Sequence, residues 1–175
     1  DFRPGQGFFC RALDAQTIFD LFELRNILET SAARSACERA SDEALQALSD
    51  ELYSTGIDVS GLTVAQACAR DEAFHIGIAQ LAGNTELVET LTRINERIRY
   101  IRWISMTTDR VQRSKAEHKH VMKALIERDA NKAARVIGRH IVKRMDQIQD
   151  AVREGISNIY MDTAGAVPER IIEEA

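Results

Sequence analysis

Glycine and proline are scarce in this sequence, with nine and two residues among 175. Long stretches consist instead of Ala, Leu, Ile, Glu, Arg and Lys, and this composition favours helices. The length suits one domain with a sizeable core.

The sequence also lacks an apolar run of the roughly 20 residues that a membrane-spanning helix needs, and no secretory signal opens it. We therefore expect no membrane partner. Its three cysteines, Cys10, Cys37 and Cys68, form no Cys-x-x-Cys motif, so they predict reduced thiols in a cytoplasmic protein. The net charge of -4 argues against nucleic-acid binding by this chain itself.

Apolar residues recur at helical spacing over most of the chain, and capping residues separate the segments. This pattern predicts an all-α fold, an antiparallel bundle of about six helices joined by short connections. The predicted helices span about residues 17–40, 41–54, 64–82, 85–106, 111–127 and 131 to beyond 145.

The two ends of the chain depart from this pattern. Residues 1–12 contain a turn that enters a short strand at Phe8-Phe9, and such a strand has no partner elsewhere in this sequence. Residues 13–160 form the predicted helical domain. After Gly155 the pattern loses regularity, so residues 161–175 are predicted to be a flexible or loosely docked tail.

The stretch from Asp71 to His75 places an acid and an imidazole four residues apart, on one face of a helix. Phe74 and Ile78 recur at helical spacing around them and mark that face as buried. Burying an ionised carboxylate is costly unless it is paired or coordinates a metal. Something inside the bundle must therefore satisfy this pair.

Helical phase also directs His118 and His140 inward, whereas His120 faces solvent. A single inward histidine is more often a core residue than a ligand. Three of them with Asp71, from three helices, favour a divalent first-row metal such as Zn, Ni, Mn, Fe or Co. The alternative is a structural bundle whose inward polar groups pair with one another.

Arg25 lies within the apolar stripe of the first helix, and Arg102 borders that of the fourth. A guanidinium cannot lose its proton, so an inward arginine needs an anion. For Arg25 the partner is either a core carboxylate, such as Asp71, or a bound anionic ligand. An octahedral metal would leave two positions open for the oxygens of such a ligand.

Two kinds of metal site known from other proteins do not match this sequence. The His-Glu-x-x-His motif of zinc proteases is absent. Ferritin-like bundles need Glu-x-x-His on two helices, and here Glu72-Ala73-Phe74-His75 occurs once.

Three sequence patterns resemble the effector-binding domain of FadR-type regulators, in the GntR family of bacterial transcription factors. The patterns are Asp71-x-x-Phe74-His75 followed by Gly83-Asn84-x-x-Leu87, Glu117-His118 with His140 further on, and Arg25-x-x-Leu28-Glu29. The resemblance covers about residues 17–150.

This resemblance implies a metal held by Asp71, His75, His118 and His140, with a small carboxylate effector on the metal and Arg25 in contact with it. Arg102 is a further predicted effector contact, from its stripe position. The resemblance also implies that residues 3–10 are the last wing strand of a winged helix-turn-helix. The helices that read DNA would precede this chain, in a homodimer.

The main hypothesis is therefore a ligand sensor that regulates transcription and is not an enzyme. The alternative is a metalloenzyme acting on a small carboxylic acid, since an open metal site can activate water. No acid or histidine is clearly placed as its general base, because Glu72 and Glu117 are predicted to project off the inward faces.

Overall fold

A computed structural model of the chain describes residues 2–5, 7–8, 14–54 and 61–165. The prediction of an all-α bundle of about six helices is confirmed. The helices of the described residues are α1 (Ala15–Arg39), α2 (Asp42–Ser54), α3 (Val64–Leu81), α4 (Thr85–Ser105), α5 (Thr108–Ile126) and α6 (Ala130–Gly165).

Short polar side chains fix where the helices begin. Asp14 accepts hydrogen bonds from two backbone N–H groups in the first turn of α1, at 3.1 and 3.2 Å. Thr63 and Gln66 form a reciprocal capping box at α3. Gly83 ends the turn after α3 with a φ of 69°, a conformation that glycine adopts without steric cost, and Asn84 then caps α4.

Helix α1 is the central element of the bundle, because it packs against α6, α3 and α4. Helix α5 packs on α6 and α2. Gly138 lets α6 approach α1 closely, since a Cβ atom there would lie 3.1 Å from Cγ2 of Thr30. The core between the helices includes Phe22, Ala33, Ile78, Leu91, Ile98, Val121, Met122, Leu125, Ile137 and Ile141.

The N-terminal segment forms a small antiparallel hairpin, in which β1 (Phe2–Arg3) pairs with β2 (Gly7–Phe8). The prediction of a strand with no partner in this sequence is therefore wrong. Its partner is on the other side of the same turn, where Gly5 has a φ of 76° and helps the chain to reverse. Phe9 lies outside the described residues.

The last helix is longer than the sequence pattern suggests. Helix α6 continues through Gly155 to Gly165, so the first part of the predicted tail 161–175 is helical. Residues 166–175 lie outside the described ranges. None of the described helices is both long and apolar enough to cross a membrane. Cys37 and Cys68 are buried free thiols, and Cys10 lies outside the described residues.

Candidate metal centre

The structure brings together the four residues that the sequence singles out as metal ligands. Helix α3 supplies Asp71 and His75, α5 supplies His118 and α6 supplies His140. One ligand atom from each residue lies within 4.8 Å of all the others. The three histidines are buried, and the side chain of Asp71 is 10% exposed.

The polar atoms of this cluster lie close together, although not all of them are hydrogen-bonded to one another. Nε2 of His118 lies 3.3 Å from Nε2 of His140. The carboxylate of Asp71 approaches Nε2 of His118 at 3.4 Å and Nε2 of His75 at 3.8 Å. Three imidazole nitrogens therefore share one small volume with a carboxylate, which is the geometry of a site that encloses a cation.

Two carboxylates outside the cluster fix the orientation of two of the rings. Nδ1 of His75 is hydrogen-bonded to Glu29, and Nδ1 of His140 to Glu117 at 2.7 Å. Because an ionised carboxylate can only accept, each Nδ1 carries the proton, and Nε2 is the ring nitrogen that faces the cluster. Histidines that bind metals are usually held in this way by a carboxylate on the opposite nitrogen.

His75 supplies a test of whether a metal fits. Its Nε2 atom is buried and has no hydrogen-bond partner among the residues that the structure describes. A buried polar group without a partner is costly. A divalent cation between the four side chains would satisfy this nitrogen, so the residues present fit a metal.

The protonation states also suit a cation. Burial lowers the pKa of His75 to about 4, and burial likewise holds the pKa of His118 well below its usual range. Both rings are therefore neutral near pH 7, as metal coordination requires. Burial alone would raise the pKa of Asp71, but the guanidinium of Arg102 and the adjacent His118 hold it well below its usual range.

Arg25 is buried, and its Nε atom donates to Glu29 one helical turn further on. Of the two partners considered for Arg25, the structure shows a core carboxylate, and that carboxylate is Glu29 and not Asp71. Asp71 pairs with Arg102 instead. Glu29 is consequently shared by Arg25 and His75, and it joins the predicted effector contact to a predicted metal ligand.

Arg102 is buried and already has acidic partners. Its guanidinium donates to Asp71 and, at 3.3 Å, to Glu72. Glu72 and Glu117 were predicted to project off the inward faces, and this is wrong for their carboxylates. Both are partly buried, because a glutamate side chain is long enough to bend toward a neighbouring helix. Glu117 contacts His140 of the cluster, and Glu72 contacts Arg102, the partner of Asp71.

Three further residues of the site were missed by the sequence reasoning. Glu29 follows Arg25 by four positions, so its place on the same inward face was readable from helical spacing. Ser114, which donates to Asp71 at 2.7 Å, and Arg144, whose Nη2 lies 3.8 Å from the same carboxylate, are four positions from His118 and His140. Their spacing from these inward histidines is the signal that could have found them.

Two cavities lie beside Asp71. The small cavity, of about 10 Å³, is lined by Arg25, Arg102 and Arg144 among others. The wide cavity, of about 60 Å³, has walls that include Arg144 and His118. Asp71, Met106 and Arg144 line both cavities.

The class of protein to which this helical bundle belongs follows from comparison with known families. The FCD domain family model matches residues 20–143. The chain belongs to the FCD domain family.

The relatives of this chain are regulators of transcription. It is 40% identical over 156 residues to the Nta operon transcriptional regulator of Aminobacter aminovorans, covering 89% of this chain and 72% of the relative. It is 21% identical over 154 residues to YdhC, an uncharacterized HTH-type transcriptional regulator of Bacillus subtilis (strain 168), covering 87% of this chain and 69% of the relative.

A solved structure supports the fold. It is described as the metal-free FCD domain of a candidate transcriptional regulator, and it superimposes with a TM-score of 0.67 at 19% identity. The match covers 82% of this chain and 99% of the other. The predicted identity as an effector domain of a FadR-type regulator is thus confirmed, and the 40% identical relative is a regulator of transcription.

Proposed function

We propose that this domain senses a small carboxylate by means of a bound divalent metal. Asp71, His75, His118 and His140 are the proposed ligands. The observation that carries the proposal is the unpartnered Nε2 atom of His75, buried within reach of the three other ligands. Three imidazoles and one carboxylate suit Zn, Ni, Mn, Fe or Co, and the metal would act as a Lewis acid that holds the effector's oxygens.

Arg25 and Arg102 are the proposed effector contacts. Both are buried, and both line the small cavity beside Asp71. Guanidinium groups match a carboxylate in shape and in charge. An acid bound to the metal through one end therefore has a cationic partner nearby for the rest of its charge.

We further propose that effector binding changes DNA binding by an upstream winged helix, of which residues 1–12 are the proposed remnant, in a cytoplasmic homodimer. Arg25 supports this coupling, because it belongs to α1, the helix that follows the hairpin. Exposed Ile27 on α1 and Tyr100 on α4, each 59% accessible, offer apolar surface for a second copy. Coupling requires the effector to favour one arrangement of the dimer.

The test compares His118→Ala with His120→Ala, two substitutions on one helix that remove a buried and an exposed imidazole. Metal content is measured by elemental analysis after loading and dialysis, and effector binding by thermal shift. We expect wild type and His120→Ala to retain about one metal per chain, and His118→Ala to lose metal and effector response together.

A chelator provides the matching control. It should lower the melting temperature of wild type and of His120→Ala, because a ligand that binds only the folded state stabilises it. Absence of metal from loaded wild type, or equal losses in the two variants, would show that the cluster is a structural network of paired polar groups.

A further inference from the structure

The charge of this chain is divided unequally along its sequence. Residues 110–144, which form most of α5 and the first half of α6, contain eleven Lys and Arg but three Asp and Glu. The other 140 residues contain twelve Lys and Arg and twenty-four Asp and Glu. The net charge of -4 therefore conceals a strongly basic helix pair on an otherwise acidic protein. A basic surface of this kind is the electrostatic footprint of a partner that carries many negative charges.

One open groove beside α6, of about 900 Å³, collects much of this positive charge. Its acidic wall residues are Glu117 and Asp146. Glu127 pairs with two of the lysines from outside the walls, at 3.8 and 2.7 Å. Five cations therefore face three carboxylates, and exposed ion pairs of this kind contribute little stability. The five cations, which we call the basic surface, are Lys123, Lys132, Arg135, Arg139 and Lys143.

Arg135 and Arg139 lie at the centre of the basic surface and have no carboxylate partner among the described residues. Both side chains are exposed. Nε of Arg139 donates to the carbonyl of Arg135, and this bond is long, at 3.4 Å. With Lys132 and Lys143, spaced three, four and four residues apart, they form a row on one face of α6. The row is about 16 Å long.

A DNA duplex has the charge spacing that such a row requires. One strand presents a phosphate about every 3.4 Å along the helix axis, so a row of about 16 Å faces about five phosphates. Lys and Arg side chains are the usual contacts to phosphate oxygens, and these contacts carry no sequence information. We propose that the basic surface binds the phosphate backbone of double-stranded DNA without reading its bases. This contact would be additional to that of the proposed upstream winged helix.

Other polyanions fit this surface less well. Single strands of nucleic acid are bound by stacking on aromatic side chains, and residues 110–144 contain no Phe, Tyr or Trp. Protein interfaces use aromatic anchors in an apolar centre, and helices that lie on membranes bury Trp, Phe or Leu. Among the described residues of these two helices, the exposed large apolar side chains are Ile126 and Val142. Charge without an apolar anchor favours a phosphate backbone.

The experiment titrates this chain into a fluorescent duplex of about 20 base pairs and arbitrary sequence, and follows fluorescence anisotropy between about 50 and 200 mM salt. We expect a dissociation constant of about 10⁻⁴ to 10⁻⁶ M at physiological salt. Four phosphate contacts from the row predict that the logarithm of the binding constant falls with the logarithm of salt concentration at a slope of about −3.6.

The double variant Arg135→Gln/Arg139→Gln should lower the magnitude of this slope by about 1.8, because it removes two of the four contacts. Its affinity should fall at least about tenfold at about 100 mM salt. Arg135→Lys/Arg139→Lys keeps the charges and should retain the slope. The matched control is Arg93→Gln/Arg97→Gln, which removes the same charge from two exposed arginines four residues apart on α4. It should change the affinity by less than about twofold.

Absence of duplex binding at about 50 mM salt overturns the proposal. Equal weakening by the α4 and α6 variants also overturns it, since net charge alone would then be responsible. Binding that the α6 variant leaves intact would place DNA elsewhere on the chain. Tighter binding of polyglutamate or of phosphatidylserine vesicles than of duplex would identify an acidic protein or a membrane as the partner. Chelator should not change duplex binding, because no cation of the basic surface is a proposed metal ligand, so this test does not depend on the proposed function.

Discussion

At the residue scale, the chemistry of the candidate metal centre depends on two glutamates that are not themselves proposed ligands but contact two of them. Glu29 and Glu117 each accept the Nδ1–H of a histidine, and this leaves Nε2 of His75 and of His140 available inside the cluster. The hydrogen bond from His140 is the main cause that lowers the pKa of Glu117 to about 2. Glu117 is therefore fully ionised near pH 7, and its charge would make Nε2 of His140 a stronger metal ligand.

Replacing Glu117 with Gln should weaken metal binding by about 10- to 100-fold. A glutamine amide holds the His140 ring less firmly than the carboxylate does, and it carries no negative charge. Competition with a chromophoric chelator measures this affinity. The effector response should weaken at limiting metal and recover at saturating metal.

Glu127→Gln is the control for this prediction, since Glu127 is an exposed acid at the end of the same helix. It should bind metal as wild type does. An unchanged affinity in Glu117→Gln would mean that His140 does not coordinate through Nε2.

Helical spacing alone was enough to select Asp71, His75, His118, His140 and Arg25, because each interrupts an apolar stripe. Spacing does not report which helices become neighbours, nor how far a flexible side chain bends. That is why the contact of Glu117 with His140 and the pairing of Asp71 with Arg102 were not predicted. Pairings between helices become visible only once the packing of α1, α3 and α4 is known.

At the element scale, caps and periodicity located all six helices, since each signal is local in sequence. The hairpin was misread because strand pairing depends on a partner, and two residues on either side of a turn give little alternation to detect. In α6 the sequence pattern instead underestimated a helix, because α6 continues past Gly155. One glycine lowers helix propensity by only about 1 kcal/mol, which the rest of a long helix overcomes.

The turn between α5 and α6 clamps the junction of α1 and α2. Arg128 in this turn has a φ of 58° and donates to the carbonyls of Cys37 and Ala40, at 3.0 and 2.7 Å. It also pairs with Asp42. These bonds satisfy carbonyl groups at the end of α1 that have no partner within the helix.

Arg128→Ala should destabilise the domain by about 1–2 kcal/mol, because it removes these bonds and keeps the unfavourable backbone conformation. The melting temperature should fall by roughly 4 °C. Arg128→Gly should cost less, since glycine adopts a positive φ without strain. Thermal unfolding followed by circular dichroism measures both.

Arg139→Ala is the matched control, because that side chain is exposed and donates a hydrogen bond to the carbonyl of Arg135 on its own helix, at 3.4 Å. It should unfold as wild type does. Metal affinity should be unchanged in all three variants, and a loss of metal in Arg128→Ala would mean that the clamp also positions the cluster.

At the scale of the whole molecule, the interior that suits a metal makes the metal-free domain sensitive to acid. His75 and His118 are neutral in the folded state because burial lowers their pKa values, in the case of His75 to about 4. In the unfolded chain an imidazole has a pKa of about 6.5. Between these values the unfolded chain binds protons that the folded domain does not, so stability must fall as the pH falls.

In chelator, the free energy of unfolding should therefore be greatest above about pH 6.5 and should decrease by about 1.4 kcal/mol per pH unit for each of these protons. The contribution of His75 levels off below about pH 4. There Glu117, whose folded pKa is about 2, begins to lose its own stabilising charge, so the decrease continues.

Urea unfolding at pH 7, 6 and 5 measures the slope of the free energy of unfolding against pH. His75→Gln should reduce it by about one proton, and His120→Ala should not change it. A slope that His75→Gln leaves intact would mean that His75 is already protonated in the folded domain, and a charged imidazole there would repel the metal.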